Sequence, residues 1–386
     1  MKKIYITILT MILGVHLFCS HMPTITSVTA ESLVDSMTAK SVVVMEPISG
    51  DILLAKNQDK RLPIASMVKL MTVLLTLENI DKGAMSLDEK ITISKNSAGM
   101  GGSQVFLDAG SEYTVEDLLK STIVASANDA SVALAEAIAG SERDFVDKMN
   151  AKAKELNMTN THYANCTGLP AVDGYSCAED VAKLMCEVLK HETYFKFSTI
   201  WMEDLVHPSG RITGLTNTNK LIRYYKGCDA GKTGSTSEAG YCVCASANKN
   251  KMRIISVVIG AESGAKRFSE SASLLDWAYA NYESKTIFEQ NQKLEPITVK
   301  NARIKELIPI LAENYSYTVK KGEDSGIITK FELNEKISAP LKIGDKIGTA
   351  YVIKNNIVIK EVDIVASQNV DKVTYFDSLK EVVQGF

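Results

Sequence analysis

The sequence predicts an α+β protein, with an antiparallel sheet flanked by helices and a second, smaller all-β domain at the C-terminus. Short β-prone runs at Ser41–Met45 and Ile52–Lys56 enclose a turn that contains proline and glycine, which is typical of a hairpin. Helical patterns fill the middle of the chain, and another hairpin pattern occupies residues 230–260. After about residue 288 the helical patterns give way to short alternating runs.

Length and composition indicate a globular protein of more than one domain. The chain has 386 residues, which exceeds the range in which a single hydrophobic core normally grows. Hydrophobic residues make up 45% and charged residues 23%, and beyond the N-terminus no apolar stretch is long enough to span a membrane. The formal net charge of -3 argues against a nucleic-acid partner.

The first thirty residues have the pattern of a secretory signal peptide. A positive start at residues 1–3 precedes an almost wholly apolar run over residues 4–18, and residues 28–30 fit a small-residue cleavage site before Glu31. We therefore expect an extracytoplasmic, secreted protein that begins near Glu31, with an uncleaved N-terminal anchor as the alternative. A lipoprotein is disfavoured, because the bulky Phe18 precedes Cys19.

The cysteines and histidines predict neither a disulfide scaffold nor a metal site. Cys242 and Cys244 are two apart on a predicted strand, so both point to one face and should not bridge each other. There is no Cys-x-x-Cys pair and no His-Glu-x-x-His motif, and two of the five histidines lie in the signal region. We expect no cofactor and mostly unpaired, buried thiols. The six cysteines after residue 30 are Cys166, Cys177, Cys186, Cys228, Cys242 and Cys244.

The first chemical motif is Ser66-Met67-Val68-Lys69, in an apolar run over residues 65–77 that follows Pro63. The run is too apolar for a surface helix, so it predicts a buried central helix with Ser66 in its first turn and Lys69 one turn later. A serine hydroxyl is a poor nucleophile, and a neutral lysine on the same helix face can accept its proton. Burial, the helix N-terminus and a second nearby cation all disfavour the ammonium form. The alternative, a capping serine and a solvated lysine, fits the apolar neighbours of Lys69 poorly.

The second motif, Ser126-Ala127-Asn128, lies in a short turn between two predicted helices. Thr114 begins the first helix, which runs through about Ala125, and the second spans residues 129–139 and ends at Gly140. The turn presents a hydroxyl and an amide. Such a pair is more often a helix cap than part of a catalytic site, and only the other two motifs favour catalysis here.

The third motif, Lys232-Thr233-Gly234-Ser235, lies on the first of the predicted late strands, which cover residues 230–235, 241–247 and 254–260. Gly234 would let a ligand backbone approach closely, while Lys232 and Thr233 offer a cation and a hydroxyl to a carboxylate. The alternative, a loop with an ordinary exposed lysine, does not explain why all three motifs occur together.

In this order, the three motifs resemble the serine-type D-alanyl-D-alanine carboxypeptidases, which are low-molecular-weight penicillin-binding proteins of bacteria. The resemblance extends to Gly101-Gly102-Ser103, to residues 126–136, to Gly168-Leu169-Pro170 and to residues 232–242, and it covers residues 31 to about 370. It implies a β-lactamase/transpeptidase-like fold and a role in cell-wall biogenesis, in which the terminal D-alanine is removed from peptidoglycan stem peptides ending in D-Ala-D-Ala.

The resemblance also implies catalytic roles. Ser66 would attack the carbonyl of the penultimate D-alanine, and Lys69 would accept the serine proton. Ser126 would relay a proton toward the leaving amine. Water would then hydrolyse the acyl-enzyme.

Five further residues are implied to bind substrate. Asn128 would hold the substrate amide, and Lys232 with Thr233 would bind the terminal carboxylate at the strand edge around Gly234. The backbone N–H groups of Ser66 and Ser235 would form the oxyanion hole. Because penicillin mimics the D-Ala-D-Ala end, β-lactam antibiotics are the expected inhibitors.

Other functions remain open. A class A β-lactamase shares the three motifs but would also carry a Glu-x-x-Leu-Asn loop, and the nearest candidate, residues 153–157, has Ala153 where the glutamate belongs. In a catalytically silent penicillin-binding module we would expect some catalytic residues to be replaced, whereas the polar side chains of all three motifs are present. Endopeptidase activity on cross-links is open as a side reaction, because the bond attacked is chemically the same.

The sequence predicts four segments: a signal peptide at 1–30, a catalytic domain at 31–287, a small β-rich domain at 288–370 and an amphipathic tail at 371–386. The linker into the β-rich domain is expected between Lys285 and Lys293. This domain acts either as a spacer from the membrane or as a protein-interaction module.

The tail has apolar residues at helical spacing, as an interfacial membrane anchor over residues 373–386 would require. Its polar face lacks the basic bias that anionic lipid favours, so packing on the β-rich domain is the alternative. The apolar positions are Tyr375, Phe376, Leu379, Val382, Val383 and Phe386.

Overall fold

The computed structural model describes residues 30–323 and 325–374, and its central element is a five-stranded antiparallel sheet. Runs of consecutive residues in the middle strands are buried, so both faces of the sheet are covered. The last strand in the order has a neighbour on one side only. Across the sheet the strands are Ile52–Lys56, Ser41–Met45, Met252–Ala261, Gly240–Lys249 and Cys228–Thr236.

Helices pack on this sheet. Helix Gly264–Asn281 contacts strands Met252–Ala261 and Gly240–Lys249, and helix Ala178–Val188 contacts Met252–Ala261 and Ser41–Met45. A separate short N-terminal unit ends at Met37 and contains helix Ala30–Asp35. The other helices are Lys69–Asp81, Lys95–Ala98, Val115–Val124, Asn128–Ala139, Glu142–Glu155, Glu192–Ser198 and Leu221–Tyr224. Two small two-stranded antiparallel ribbons also belong to this part, Lys90–Thr92 with Glu112–Thr114 and Met202–Val206 with Ile212–Thr216. The α+β fold predicted from the sequence is confirmed.

The central helix, Lys69–Asp81, is as buried as its apolar sequence predicts. Every residue from Lys69 to Leu77 is buried. Its first turn differs from the prediction, because Ala65–Val68 forms a 3-10 turn and the α-helix begins at Lys69. Ala65 has a φ of 48°, which an α-helix of L-residues does not accommodate, so the regular helix starts only after Ser66.

The helix ends around the second motif agree with the prediction. Thr114 caps helix Val115–Val124: its Oγ1 accepts a hydrogen bond from Asp117 N at 3.1 Å and donates one to Asp117 Oδ2 at 2.8 Å. Gly140 ends the next helix with a φ of 82°, a left-handed conformation that glycine adopts without steric cost.

Both hairpins predicted for the large sheet are present. Ser41–Met45 pairs with Ile52–Lys56, as predicted. The late hairpin is longer than predicted, because its first strand continues to Lys249 and the turn consists of Asn250 and Lys251, with φ values of 53° and 62°. Two positive φ values are characteristic of the two-residue turn that fits the twist of a hairpin.

The C-terminal part is all β and has a second hydrophobic core. The short alternating runs predicted as strands are present, including Ile327–Leu333, Lys346–Lys354 and Ile357–Ala366. These three strands and Pro309–Leu311 form a four-stranded sheet, with Ile357–Ala366 and Lys346–Lys354 in its middle. Strands Ile297–Thr298 and Glu306–Leu307 form a small ribbon.

The linker expected between Lys285 and Lys293 was predicted wrongly. Lys285 lies inside strand Tyr282–Phe288, which pairs with Tyr315–Lys320. The strand follows helix Gly264–Asn281 directly. A paired strand, and not an irregular linker, therefore connects the catalytic part to the C-terminal part. The sequence of this strand, with Glu283, Ser284 and Lys285, resembles a polar linker because most of its side chains are only half-buried.

All six cysteines in the described residues are free, as predicted. Five are buried and Cys186 is half-buried. Cys242 and Cys244 lie on one strand, Gly240–Lys249, and neither forms a bridge.

Two predicted segments lie outside the described residues. These are the signal peptide up to residue 29 and the tail from residue 375 onward. Within the part of the chain that is described, no helix has the length and apolar character needed to cross a membrane.

Candidate active site

Ser66 lies on the 3-10 turn Ala65–Val68, at the point where two glycines let other backbone segments pack against the turn. A Cβ atom on Gly168 would lie 2.0 Å from Ala65 O and 2.9 Å from Ser66 N. A Cβ atom on Gly234 would lie 2.6 Å from Ile64 O and 2.9 Å from Ser66 N. The sequence predicted that Gly234 makes room for a ligand, but the structure shows that it makes room for the protein's own serine turn.

Lys69 is completely buried and makes three close polar contacts. Its Nζ lies 3.1 Å from Ser66 Oγ and donates to Asn128 Oδ1 and Thr167 O, both at 2.6 Å. Ser66 Oγ, Asn128 Oδ1 and Thr167 O can accept from the three N–H groups of an ammonium, and they equally suit a neutral amine whose two N–H groups face Asn128 and Thr167 and whose lone pair faces the serine hydroxyl. Burial lowers the pKa of Lys69 to about 7, against the opposing effect of the Asp129 carboxylate.

The two polar residues of the second motif each form a hydrogen bond with a different lysine. Ser126, with a φ of 61°, turns its hydroxyl toward Lys232, whose Nζ donates to Ser126 Oγ at 2.6 Å. Asn128 is buried and contacts Lys69 through Oδ1, while its Nδ2 donates to Gly101 O at 2.6 Å. Both ends of the Asn128 amide therefore bond within the protein, and one N–H hydrogen of Nδ2 remains for a ligand.

The third motif lies on the edge strand Cys228–Thr236, beside the serine turn. Lys232 is 1% exposed, and its Nζ also donates to Thr233 O at 3.2 Å. Burial, together with the charges of Lys69 and Arg267, holds the pKa of Lys232 well below its usual range. Thr233 is buried and Ser235 is exposed, so the strand edge becomes accessible just after Gly234.

Several supporting groups could not be found from the motifs. The Thr167 carbonyl binds Lys69, and the Ser103 carbonyl accepts from Asn128 N at 2.7 Å. The buried Asp129 carboxylate accepts from the backbone N–H groups of Val105 and Leu107 and so holds the loop that carries Gly101 and Ser103. Backbone carbonyls leave no sequence signal, but Asp129 directly follows the second motif and was a detectable candidate.

Arg267 supports the edge strand from helix Gly264–Asn281. Its Nη1 donates to Gly234 O at 3.2 Å and to Cys242 O at 3.4 Å. The guanidinium carbon lies 4.7 Å from the centre of the Phe268 ring. Arg267 therefore links the strand of the third motif to the helix behind it.

No group of three or more His, Cys, Asp or Glu residues that could hold a metal ion is found among the described residues. The polar groups that converge are instead two serines and two lysines, arranged as the pairs Ser66–Lys69 and Ser126–Lys232. A serine beside a buried lysine of lowered pKa is the arrangement of a serine enzyme that forms acyl intermediates with a lysine as general base.

Comparison with known proteins agrees with this class. Residues 26–263 match the family model described as D-alanyl-D-alanine carboxypeptidase, and residues 282–372 match the one described as penicillin-binding protein 5, C-terminal domain. The chain is 41% identical to the D-alanyl-D-alanine carboxypeptidase DacF of Bacillus subtilis over 346 residues, which is 89% of each chain. This chain belongs to the D-alanyl-D-alanine carboxypeptidase family, as its motifs predicted.

Solved structures show the same architecture. Penicillin-binding protein 3 of Streptococcus pneumoniae, described as a peptidoglycan synthesis regulatory factor, has a TM-score of 0.75 at 27% identity, covering 87% of this chain and 100% of its own. Penicillin-binding protein D2 of Listeria monocytogenes, in the ampicillin-bound form, has a TM-score of 0.57 at 29% identity, covering 63% of this chain and 98% of its own.

Proposed function

We propose that this protein removes the terminal D-alanine from peptidoglycan stem peptides through an acyl-enzyme on Ser66. The observation that carries the proposal is the contact between Lys69 Nζ and Ser66 Oγ at 3.1 Å. When the amine is neutral, its two N–H groups donate to Asn128 Oδ1 and Thr167 O, and its lone pair is free to accept the serine proton. A pKa of about 7 leaves a large fraction of Lys69 neutral at physiological pH.

In the acylation step, Ser66 Oγ forms a bond to the carbonyl carbon of the penultimate D-alanine, and its proton passes to Lys69. The backbone N–H groups of Ser66 and Ser235 stabilise the oxyanion, an effect worth about 2.7–4 kcal/mol per donor in a comparable site. The C–N bond then breaks as the proton passes from Lys69 through the hydroxyl of Ser126, which is hydrogen-bonded to Lys232, to the leaving amine, so Lys69 is neutral again. Water adds to the ester carbonyl and gives a proton to Lys69, which returns it to Ser66 Oγ as the ester bond breaks, so free Ser66 is regenerated.

Substrate recognition rests on the edge strand and on Asn128. We propose that Lys232 and Thr233 bind the terminal carboxylate beside Gly234, because an arriving anion favours the ammonium form of a lysine whose pKa burial has lowered. The remaining N–H hydrogen of Asn128 Nδ2 is available for the substrate amide. A β-lactam presents the same carboxylate and carbonyl, so it acylates Ser66 and inhibits the enzyme.

The alternatives are less well supported. A class A β-lactamase needs a glutamate to activate the deacylating water, whereas Ala153, at the corresponding position in sequence, is a buried residue of helix Glu142–Glu155. A silent penicillin-binding module would not need a buried Ser66–Lys69 pair with a lowered lysine pKa.

We further propose the segment limits 1–30, 31–287, 288–370 and 371–386 for signal peptide, catalytic domain, β-rich domain and tail, and an extracytoplasmic protein attached to the membrane through residues 373–386. The two matched family models and the two hydrophobic cores support the division. Intact mass of the protein secreted by a bacterial host tests the cleavage, and co-sedimentation of residues 31–386 and 31–370 with lipid vesicles tests the attachment.

The function itself is tested by intact-protein mass spectrometry of residues 31–386 with benzylpenicillin, together with an assay of D-alanine release from a D-Ala-D-Ala peptide. We expect a lasting adduct on Ser66 and release of D-alanine, and neither in Ser66→Ala. The matched control is Ser269→Ala, an exposed serine of helix Gly264–Asn281. Rapid drug hydrolysis without a lasting adduct would favour the lactamase, and D-alanine release by Ser66→Ala would exclude the mechanism.

A further inference from the structure

The four-stranded sheet of the C-terminal part ends in a long strand whose far side is open. Strand Ile327–Leu333, which we call the outer strand, is last in the order of this sheet and, among residues 30–323 and 325–374, pairs only with Lys346–Lys354. At the opposite end of the sheet, strand Pro309–Leu311 is short, begins with a proline and bridges Lys293 on its other side. A long strand at a sheet edge, without proline or glycine, is a template for pairing with another chain.

The hydrogen bonds of the outer strand show which of its backbone groups face the open side. Asn334 N, one residue beyond the strand, donates to Ile347 O at 2.9 Å in the register of this strand pair. In an antiparallel ladder, residues that bond to the partner strand alternate with residues whose N–H and C=O groups point the other way. Counting back from Asn334, the N–H and C=O groups of Leu333, Phe331 and Thr329 therefore point to the open side.

The side chains of the outer strand are only partly covered by the rest of the protein. Phe331 and Leu333 are 45% and 42% exposed, although the Phe331 ring centre lies 5.7 Å from that of the core residue Phe288. Side chains alternate between the two faces of a strand, so Lys330 and Glu332 share the opposite face, where they form an ion pair. A chain added at the open side would cover the two apolar side chains.

A second copy of the outer strand fits the open side in one register. Two copies related by a two-fold axis pair antiparallel and present the same surface to each other. With Phe331 opposite Phe331 of the second copy, the outward N–H and C=O groups of both bond to each other, and Thr329 bonds to Leu333 of the second copy. This register also sets Lys330 opposite Glu332 of the second copy. Moving the axis by one residue would set two Lys330 or two Glu332 side chains opposite each other, which is repulsive.

We propose that the outer strand is a dimer interface, at which Ile327–Leu333 pairs antiparallel with the same strand of a second copy about an axis through Phe331. The sheets of the two copies then form one continuous sheet. Lys330 of each copy lies between its own Glu332 and that of the second copy, so charges alternate in sign across the axis. One pair of short strands is a small interface, so we expect a dissociation constant of about 10–100 μM.

The backbone pairing is tested by sedimentation velocity of residues 31–386 over a range of about 1–300 μM. Thr329→Pro removes an N–H group that points to the open side and none that bonds to Lys346–Lys354, so the ladder within the sheet is kept. We expect the dissociation constant of the dimer to rise at least about tenfold, because each copy loses one hydrogen bond across the axis. The matched control, Thr329→Val, keeps the N–H group and should dimerise like the unchanged protein. Circular dichroism checks that both variants are folded.

The register is tested by exchanging charges. Lys330→Glu and Glu332→Lys each set like charges opposite one another across the axis, so each variant alone should stay monomeric where the unchanged protein dimerises. An equimolar mixture of the two restores opposite charges at every position and should dimerise, as should the double variant. The matched control is Glu361→Lys, which makes the same charge change at an exposed residue of strand Ile357–Ala366, away from the sheet edge, and should dimerise normally.

Three results would exclude this dimer interface. The first is an unchanged protein that remains monomeric up to about 300 μM. The second is a folded Thr329→Pro variant that dimerises as tightly as Thr329→Val. The third is a mixture of Lys330→Glu and Glu332→Lys that associates no more than either variant alone. If Thr329→Pro does not fold, the charge variants decide.

Discussion

Substitution of Gly168 by alanine would perturb the serine turn without touching any catalytic side chain. Gly168 has a φ of 80°, and a Cβ atom there would lie 2.0 Å from Ala65 O, 2.4 Å from Ala65 C and 2.9 Å from Ser66 N. These contacts are with backbone atoms, which cannot rotate away as the end of a flexible side chain can. The turn that carries Ser66 must therefore shift, or the loop after Cys166 must.

Gly140 offers a matched control for the backbone conformation. Its φ is 82°, and a Cβ atom there would meet nothing within 4 Å. Alanine at either position adopts an unfavourable left-handed conformation, which costs about 1–2 kcal/mol. Only Gly168→Ala adds steric overlap, which typically costs a further ~1–3 kcal/mol in a packed site.

We expect Gly168→Ala to lose about 2–5 kcal/mol in the free energy of unfolding, against about 1–2 kcal/mol for Gly140→Ala. Urea unfolding of residues 31–386 measures both values. Because a displacement of about 1 Å can reduce a rate by roughly 100-fold, acylation by benzylpenicillin should fall by that order in Gly168→Ala and remain near the unchanged rate in Gly140→Ala. The rate is measured at a temperature where circular dichroism shows each variant folded.

One result would refute this reasoning. If Gly168→Ala acylated at the unchanged rate and lost no more stability than Gly140→Ala, the close packing of residue 168 against Ala65 would not position Ser66.

Three further predictions concern single groups. The rate of acylation should rise as the pH passes through about 7, because the neutral form of Lys69 is the base; a rate independent of pH between about 5.5 and 8.5 would contradict this. In Asp129→Asn one of the two oxygens becomes an NH2 group, which faces the N–H group of Val105 and that of either Leu107 or Ala130, so urea unfolding should show a loss of about 1–3 kcal/mol, and unchanged stability would exclude the role given to the carboxylate. Burial lowers the pKa of His207 in the folded protein, so stability should be complete above the unfolded value of about 6.5 and fall as the pH drops below it. In His207→Gln that part of the pH dependence, followed by urea unfolding from about pH 8 to 5, should disappear, and its persistence would contradict the assignment.

Local rules predicted much of the fold and the identity of the motif residues. The Thr114 and Gly140 helix ends, the early hairpin and the i, i+3 relation of Ser66 and Lys69 depend on neighbours within a few residues. Such features follow from backbone sterics and hydrogen bonding within one turn, so the sequence specifies them without knowledge of the rest of the chain. Tyr282–Phe288 was missed because its partner strand, Tyr315–Lys320, is distant in sequence and its own side chains are half-polar.

The chemistry of the site depended on contacts that only the tertiary structure could decide. Thr167 O is 98 residues from Lys69, and Ser126 Oγ is 106 residues from Lys232. The sequence by itself determined which side chains could act as nucleophile and base. Folding determined that the Lys69 amine meets Asn128 Oδ1 and Thr167 O, and that Gly234 packs against the serine turn, because such contacts form only when segments distant in sequence come together.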